Sequence, residues 1–433
     1  MPARPSSKLP NRAASPSTFG LSLGYGNVPL VPRLPFPLAG TASRQERLSG
    51  WVDDPPQVTA VVVNGKGDRC ALIGVDILII DHTLLADVEE LARTRSVPAV
   101  FLFASHTHSA MGGYLDSKGG RYFMGRFQPA LRLYLLKQIA AALDAALAEV
   151  SPVTGVRTGR GQAPGITMNR RRRHGPTDDT VLYTEFRRKN ARTVAFVGLS
   201  GHPVVACFMD PSMVSSDYPG RVRKRMLREE TLALVIPGAL GGLNTIFPEL
   251  PTAVHDHLDL VTELFVGAIA RAQATALDLP AGLEPRLGTE LLAFRQERPP
   301  LSGGPLLVAL RSRVSAIIGQ NYARWTAPAN LTVPTKVFRF GPICLVGMPA
   351  DFGVAPTLLL RDQLERDGSL TPYVVSHANG YVGYLHLRTE SRWQESSFAD
   401  MHHYENAMAW YGPDATERLM SAAAKVHSAL ANP

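Results

Sequence analysis

Residues 99–114 read AVFLFASHTHSAMGGY. Six apolar residues stop at Ser105-His106-Thr107-His108-Ser109, and Met111, Gly112, Gly113 and Tyr114 follow shortly after. The stretch 97–108 predicts a β-strand. Residues i and i+2 of a strand share a face, so His106 and His108 look into one pocket. Two imidazoles on one face, next to flexible glycines, suit zinc or a similar metal. A pair of hydrogen-bonded surface histidines is the alternative.

The same pattern recurs further along the chain. The apolar stretch 194–199 runs into Ser200-Gly201-His202-Pro203, and PSMVSSDYPG (211–220) then leads into a basic helix. ICLVGMP (343–349) ends at Ala350-Asp351, and YVVSHANGYVGY (373–384) ends in a turn rich in Gly and Tyr. A lone histidine at a strand end is more often structural, and Tyr384 by itself reads as a buried, hydrogen-bonded phenol. Four strands that each deliver a polar residue at the C-terminal end describe how α/β enzymes build sites.

Around these strands, VTAVVVN (58–64) and CALIGVDILII (70–80), separated by NGKGD, predict a hairpin. Further strands are predicted at 180–187, 193–200, 232–236, 287–294, 335–340, 342–347 and 372–376. Helices are predicted at 84–95, 128–149, 219–229, 255–277, 354–366 and 415–430. Hairpins and crossovers together indicate a mixed α/β (α+β) body, one large domain with a mixed sheet flanked by helices. Residues 1–19 read as a disordered leader and 20–433 as the folded domain. The stretch 20–56 reads as a wrapped loop with short extended pieces, and Gly/Pro-rich 298–306 as a loop or minor boundary.

The chain has 433 residues, 45% hydrophobic and 19% charged, which is the balance of a globular protein. Its three cysteines, Cys70, Cys207 and Cys344, are far apart, which excludes a disulfide scaffold and a thiolate zinc knuckle. The longest apolar run, 71–80, is far short of the ~20 residues of a membrane span. With no apolar signal core at the N-terminus, the reading is cytoplasmic. The net charge of +8, carried by 37 Arg and 8 Lys, invites a nucleic-acid reading, which centres on Arg170-Arg171-Arg172-Arg173-His174. No nucleic-acid module surrounds that run. It reads instead as a solvated basic loop, or as a pocket rim that attracts anionic head groups. The cluster 221–228 reads as the wet face of a helix.

Eight segments occur in a recognisable order: SHTHS-x-x-GGY, Met168-Asn169-Arg170, GHP, SSDYPG, GALGGLN, PAD, ANGYVGY and HYENAMAWYGP. In these the chain resembles the neutral (non-lysosomal) ceramidase family, specifically its N-terminal catalytic domain, from about Gly20 to the last helix. The resemblance implies a zinc ion held by His106, His202, Asp351 and Tyr384. Asp351 departs from the family's Pro-Gly-Glu, because Pro349-Ala350-Asp351 offers a carboxylate one methylene shorter. It further implies that His108 moves protons or holds the nucleophilic water, that Arg170 and Tyr404 stabilise an oxyanion, and that Asp217 supports the site or caps a helix.

The family's GDVSPN-like segment reads Gly241-Gly242-Leu243-Asn244-Thr245 here, without its Ser and Asp; Asn244 or Thr245 is the partial substitute. The family's C-terminal Ig-like domain has no counterpart in this reading. The implied activity is zinc-dependent hydrolysis of a linear N-acyl amide, with metal-bound water as nucleophile. The implied substrate is a small molecule or lipid of sphingolipid type, with contact at a membrane periphery and no nucleic acid. Secretion is the alternative location by analogy, and the oligomeric state is open. The rival readings are a catalytically degenerate relative that only binds its ligand, and a basic binder of nucleic acid or membrane surfaces.

Overall fold

The computed structural model describes residues 19–40, 48–65, 67, 69–117, 120–172, 174–245, 254–297, 314, 317, 324, 327–392 and 405–431. Two β-sheets dominate the described residues. The larger contains β1 (Ser22–Pro29), β2 (Gln57–Asn64), β3 (Cys70–Val75), β4 (Ala99–Ala104), β5 (Ser151–Gln162), β6 (Thr180–Arg188), β7 (Ala191–Leu199) and β8 (Thr231–Pro237). Their order is β8-β7-β6-β5-β1-β2-β3-β4, and a ninth short strand, Leu277–Asp278, lies beside β5. The terminal pairs β8/β7 and β3/β4 are parallel, and the pairs between them are antiparallel. The smaller sheet runs β9 (Pro285–Arg295), β10 (Asn330–Phe340), β11 (Ile343–Gly347) and β12 (Thr371–Val375), with β11 and β12 parallel.

Strand alternation explains how the layers stack. Along β2, Val58, Ala60 and Val62 join a core with α1 (His82–Arg93) and α2 (Pro129–Ala148). The intervening Val61 and Val63 join a second core with Phe338, Phe340, Ile343 and Leu345 of the smaller sheet. β6, β7 and β8 behave alike. Val181, Tyr183, Ala195, Val197, Ala233 and Val235 meet α3 (Asp217–Arg228) and α4 (Val254–Ala274), whereas Leu182, Val194, Phe196 and Leu234 meet the smaller sheet. The outer face of the smaller sheet is covered by α5 (Val354–Arg366) and α6 (Ala415–Ala431). The layers are therefore helix, sheet, sheet, helix. The mixed α/β class read in the sequence holds, and the second stacked sheet is the added feature.

Three sequence expectations change. The strand predicted over 97–108 ends at Ala104, and the one over 70–80 ends at Val75. The stretch 20–56 holds β1, and 151–162, which carried no predicted element, is the twelve-residue β5. Both strands contain Gly-x-Gly, because helix backbones lie directly on them. A Cβ on Gly24 would sit 1.9 Å from the Ala146 carbonyl oxygen of α2, and one on Gly161 1.9 Å from that of Ala268 in α4. The loop expected at 298–306 lies outside the described residues.

Candidate metal centre

Four turns, each leaving the C-terminal end of a strand in a parallel pair, converge on one point. His106 follows β4, His202 follows β7, Asp351 follows β11 and His377 follows β12. The turns are tied to one another through the backbone. His106 N–H donates to the Ile77 carbonyl (3.1 Å), and His202 N–H to that of Leu243 (3.2 Å). His377 N–H donates to Ala350 O (3.0 Å), while its own carbonyl accepts from Ala104 N–H (3.1 Å). Asp351 pairs in parallel register with Tyr384, which brings the carboxylate and the phenol side by side. His106 has φ +65°, a left-handed conformation that turns its ring back towards the sheet ends. His106 and His108 therefore meet through a turn, not through the two-residue repeat of a strand as the sequence implied.

The ring nitrogens show what the site can hold. His106 Nδ1–H donates to Leu78 O (2.8 Å), and His202 Nδ1–H donates to Leu240 O (2.7 Å). A carbonyl only accepts, so each Nδ1 carries the proton and each Nε2 presents a lone pair. Those two Nε2 atoms are 3.1 Å apart, and His108 Nε2 is 3.1 Å from that of His106. Asp351 Oδ1, another acceptor, lies 3.3 Å from His106 Nε2 and 3.4 Å from His202 Nε2 and accepts no aligned hydrogen bond. Burial pushes the His106 imidazole down to about 3, with His377 adding to the effect, and holds His202 well below its ordinary range. Protonation of these two rings is therefore disfavoured near neutral pH. A divalent cation held by imidazole, carboxylate and phenol would relieve the convergence of acceptors, so the donor set fits a metal.

Two overlapping clusters have metal-ligand spacing, His106/His108/His202 and His106/Asp351/His377. Tyr384 borders the first, its hydroxyl 3.5 Å from His202 Nε2. Burial raises the Asp351 carboxyl, but the neighbouring His377, His106 and Arg170 outweigh it and hold the group below the usual carboxylate range.

Beside this centre lies a buried charge network. Arg170 donates from Nε to Glu405 Oε1 (2.7 Å), from Nη1 to Asn244 Oδ1 (3.1 Å) and from Nη2 to the Tyr384 hydroxyl (3.3 Å). Arg171 Nη1 lies 3.1 Å from Glu405 Oε2, His386 Nε2 lies 3.0 Å from the same oxygen, and Gly242 N–H donates to Oε1 (3.1 Å). Glu405 is fully buried, yet Arg170, His386 and Arg171 outweigh desolvation and hold it well below the usual range.

The structure thus gathers His106, His108, His202, Asp351, Tyr384 and Arg170. Tyr404 lies outside the described residues. Asp217 stands at the N-terminus of α3, where its carboxylate accepts from Tyr218 N–H and Ala206 N–H (both 2.8 Å). It holds the start of the helix and the short segment that follows His202. The basic run at 170 is not a solvated loop at its start, since Arg170 and Arg171 are 3% and 1% exposed and bound to Glu405. In the second basic cluster Arg223 is likewise buried, against Asp76 (2.6 Å). Two residues escaped the sequence reading, His377 and Glu405. His377 carried a usable signal, because it follows a strand end by two residues as His106 does. Glu405 stood inside HYENAMAWYGP, beside Tyr404, but nothing local marked it as the partner of two arginines.

No family model matches the sequence, and no curated protein matches it. Among solved structures the chain is similar to the neutral ceramidase from Pseudomonas aeruginosa. The TM-score is 0.76 at 17% identity, covering 95% of this chain and 74% of that one. It is also similar to a ceramidase complexed with C2, with TM-score 0.77, 16% identity, and 95% and 75% covered. The chain has the neutral-ceramidase fold, and the resemblance read from its motifs is supported at the level of the fold. No helix among the described residues is long and apolar enough to cross a membrane.

Proposed function

We propose, on the premise of a neutral-ceramidase fold, that this chain is a zinc-dependent hydrolase of linear N-acyl amides. The observation that carries the reading is the meeting of His106, His202 and Asp351 acceptor atoms within 3.4 Å of one another. These three residues, with Tyr384, would hold the ion, and His108 stands beside them. When bound, a divalent cation supplies positive charge that polarises a carbonyl and makes water acidic near neutral pH.

The protein's own groups do the rest. Arg170, clamped by Glu405, presents a fixed guanidinium beside the Tyr384 hydroxyl. A pre-oriented cation there stabilises the negative charge that builds on a carbonyl oxygen during amide attack. Tyr404 adds a phenol to the same task. His108 is half-buried and the most open of the imidazoles named in the motif, so it is the group that passes a proton between water and the leaving amine. Asn244, which replaces part of the family's GDVSPN-like segment, accepts from Arg170 and keeps its fork in place.

The proposed substrates are small or lipid N-acyl compounds, N-acylsphingosine-like lipids first among them. The test is a panel of N-acyl amides offered to zinc-loaded protein, to chelator-treated protein, and to His106→Ala and Asp351→Ala variants. Release of amine by the loaded wild type alone supports the reading. Equal rates before and after chelation contradict it. Stoichiometric zinc with no turnover of any amide would favour the ligand-binding rival.

A further inference from the structure

His377 is fully buried and lies in the centre just described, yet neither of its ring nitrogens makes an aligned hydrogen bond. Its Nε2 is 3.0 Å from Asp351 Oδ1, the shortest of that oxygen's three imidazole contacts. The other carboxylate oxygen, Oδ2, accepts from the Tyr381 hydroxyl at 3.0 Å. The rings of His106, His377 and Tyr381 form one stack. The His377 ring lies on His106, with centroids 3.9 Å apart and planes 14° apart, and Tyr381 stacks on His377 at 5.4 Å and 14°.

The backbone is committed to this placement. His377 has φ +51° and Asn379 φ +60°, left-handed conformations that turn the chain sharply here and that His and Asn adopt more readily than most residues. The turn is stitched to β4, since Asn379 N–H donates to Leu102 O (2.8 Å) and Leu102 N–H donates to Asn379 Oδ1 (2.9 Å).

Stacking decides between two roles for the ring. An imidazole binds a metal along its lone pair, which lies in the ring plane. The rings of His106 and His377 are stacked, with centroids 3.9 Å apart and planes 14° apart, so a cation lying in the plane of one ring falls well out of the plane of the other. One cation cannot take both nitrogens in good geometry. We infer that His377 is a positioning residue: by the close 3.0 Å contact of its Nε2 with Oδ1, rather than by an aligned hydrogen bond, it keeps the Asp351 carboxylate in the place from which that carboxylate would bind the cation, with Tyr381 holding the other oxygen. The inference rests on the proposal that Asp351 is a metal ligand. It concerns the group behind the ligand, and such groups commonly set metal affinity.

The experiment measures the zinc dissociation constant by competition with a chromophoric chelator, and the bound zinc per chain by elemental analysis. It compares wild type with His377→Phe, which keeps a stacking ring but has no nitrogen, and with His377→Gln, which keeps an N–H at a similar reach. Affinity is expected to fall by about 10–100-fold in His377→Phe with stoichiometry unchanged, and to recover largely in His377→Gln. In an Asp351→Ala background, His377→Phe is expected to change affinity by less than about twofold, because the group it acts through is gone.

Should His377→Phe fail to fold, His377→Asn, whose shorter amide cannot reach Oδ1, serves in its place. Wild-type affinity in His377→Phe overturns the inference, as does an equal loss in both backgrounds. Two zinc ions in the wild type falling to one overturns it as well, by making His377 a ligand. A wild type that takes up no zinc brings down the metal proposal itself, which is a separate result.

Discussion

Arg170 stands first in a run of four arginines, and its burial inverts what that run means. An exposed run would neutralise phosphates, whereas this guanidinium is spent on Glu405, Asn244 and Tyr384. On the proposed mechanism, replacing it with Met would remove a fixed positive charge beside the reacting carbonyl. Arg170→Met is expected to lower kcat by about 10²–10³-fold while bound zinc stays stoichiometric, as read from steady-state amide hydrolysis and elemental analysis. A variant that loses zinc instead would show Arg170 acting only through the metal site. At this scale the sequence was informative where chemistry and position coincide, as at His106, His202 and Asp351, each just past an apolar strand. It was silent on Glu405, whose importance comes entirely from the two arginines and the histidine folded around it. It misread Arg171 because sequence neighbours share composition, not burial.

Elements were legible where apolar periodicity was unbroken. β2, β3, β7, β8, α2 and α5 fall within a few residues of their sequence readings, the exception being the five-residue overrun of β3. β1 and β5 were missed for one physical reason: their glycines look like loop signals, but they exist because a helix backbone rests on the strand. Gly161→Ala is therefore expected to destabilise the fold by about 1–3 kcal/mol, as its Cβ must displace the Ala268 carbonyl. Gly267→Ala, on the facing helix with only an Arg271 nitrogen 3.6 Å away, is expected to be neutral or to stabilise by up to about 1 kcal/mol. Urea midpoints of the two variants check the contrast; equal shifts would refute the close-approach account.

Across the whole molecule, a buried pair ties the outer helix layer to the site. Arg361 of α5 donates to both oxygens of Asp178 (2.8 and 2.7 Å), and Asp178 also accepts from Ser200 Oγ (2.6 Å) in the turn before His202. Burial raises the Asp178 carboxyl, but Arg361 outweighs it and the group sits below its ordinary value of 3.8. A carboxylate depressed in the folded state binds fewer protons there than in the unfolded chain. Its stabilisation is therefore complete above about pH 4 and is lost as pH falls through the lower folded value. Asp178→Ala is expected to cost about 3–5 kcal/mol at pH 7, with a flatter stability profile below pH 4 than wild type, read from denaturant midpoints at several pH values.

All of these layers bring strand ends together, and the proposed function stands or falls with a metal site at that point. Zinc titration of the metal-free protein by calorimetry tests this directly. Saturation at one ion per chain is expected, lost in His106→Ala and in His202→Ala. Absence of uptake by folded wild type, or uptake unchanged by both substitutions, would contradict it.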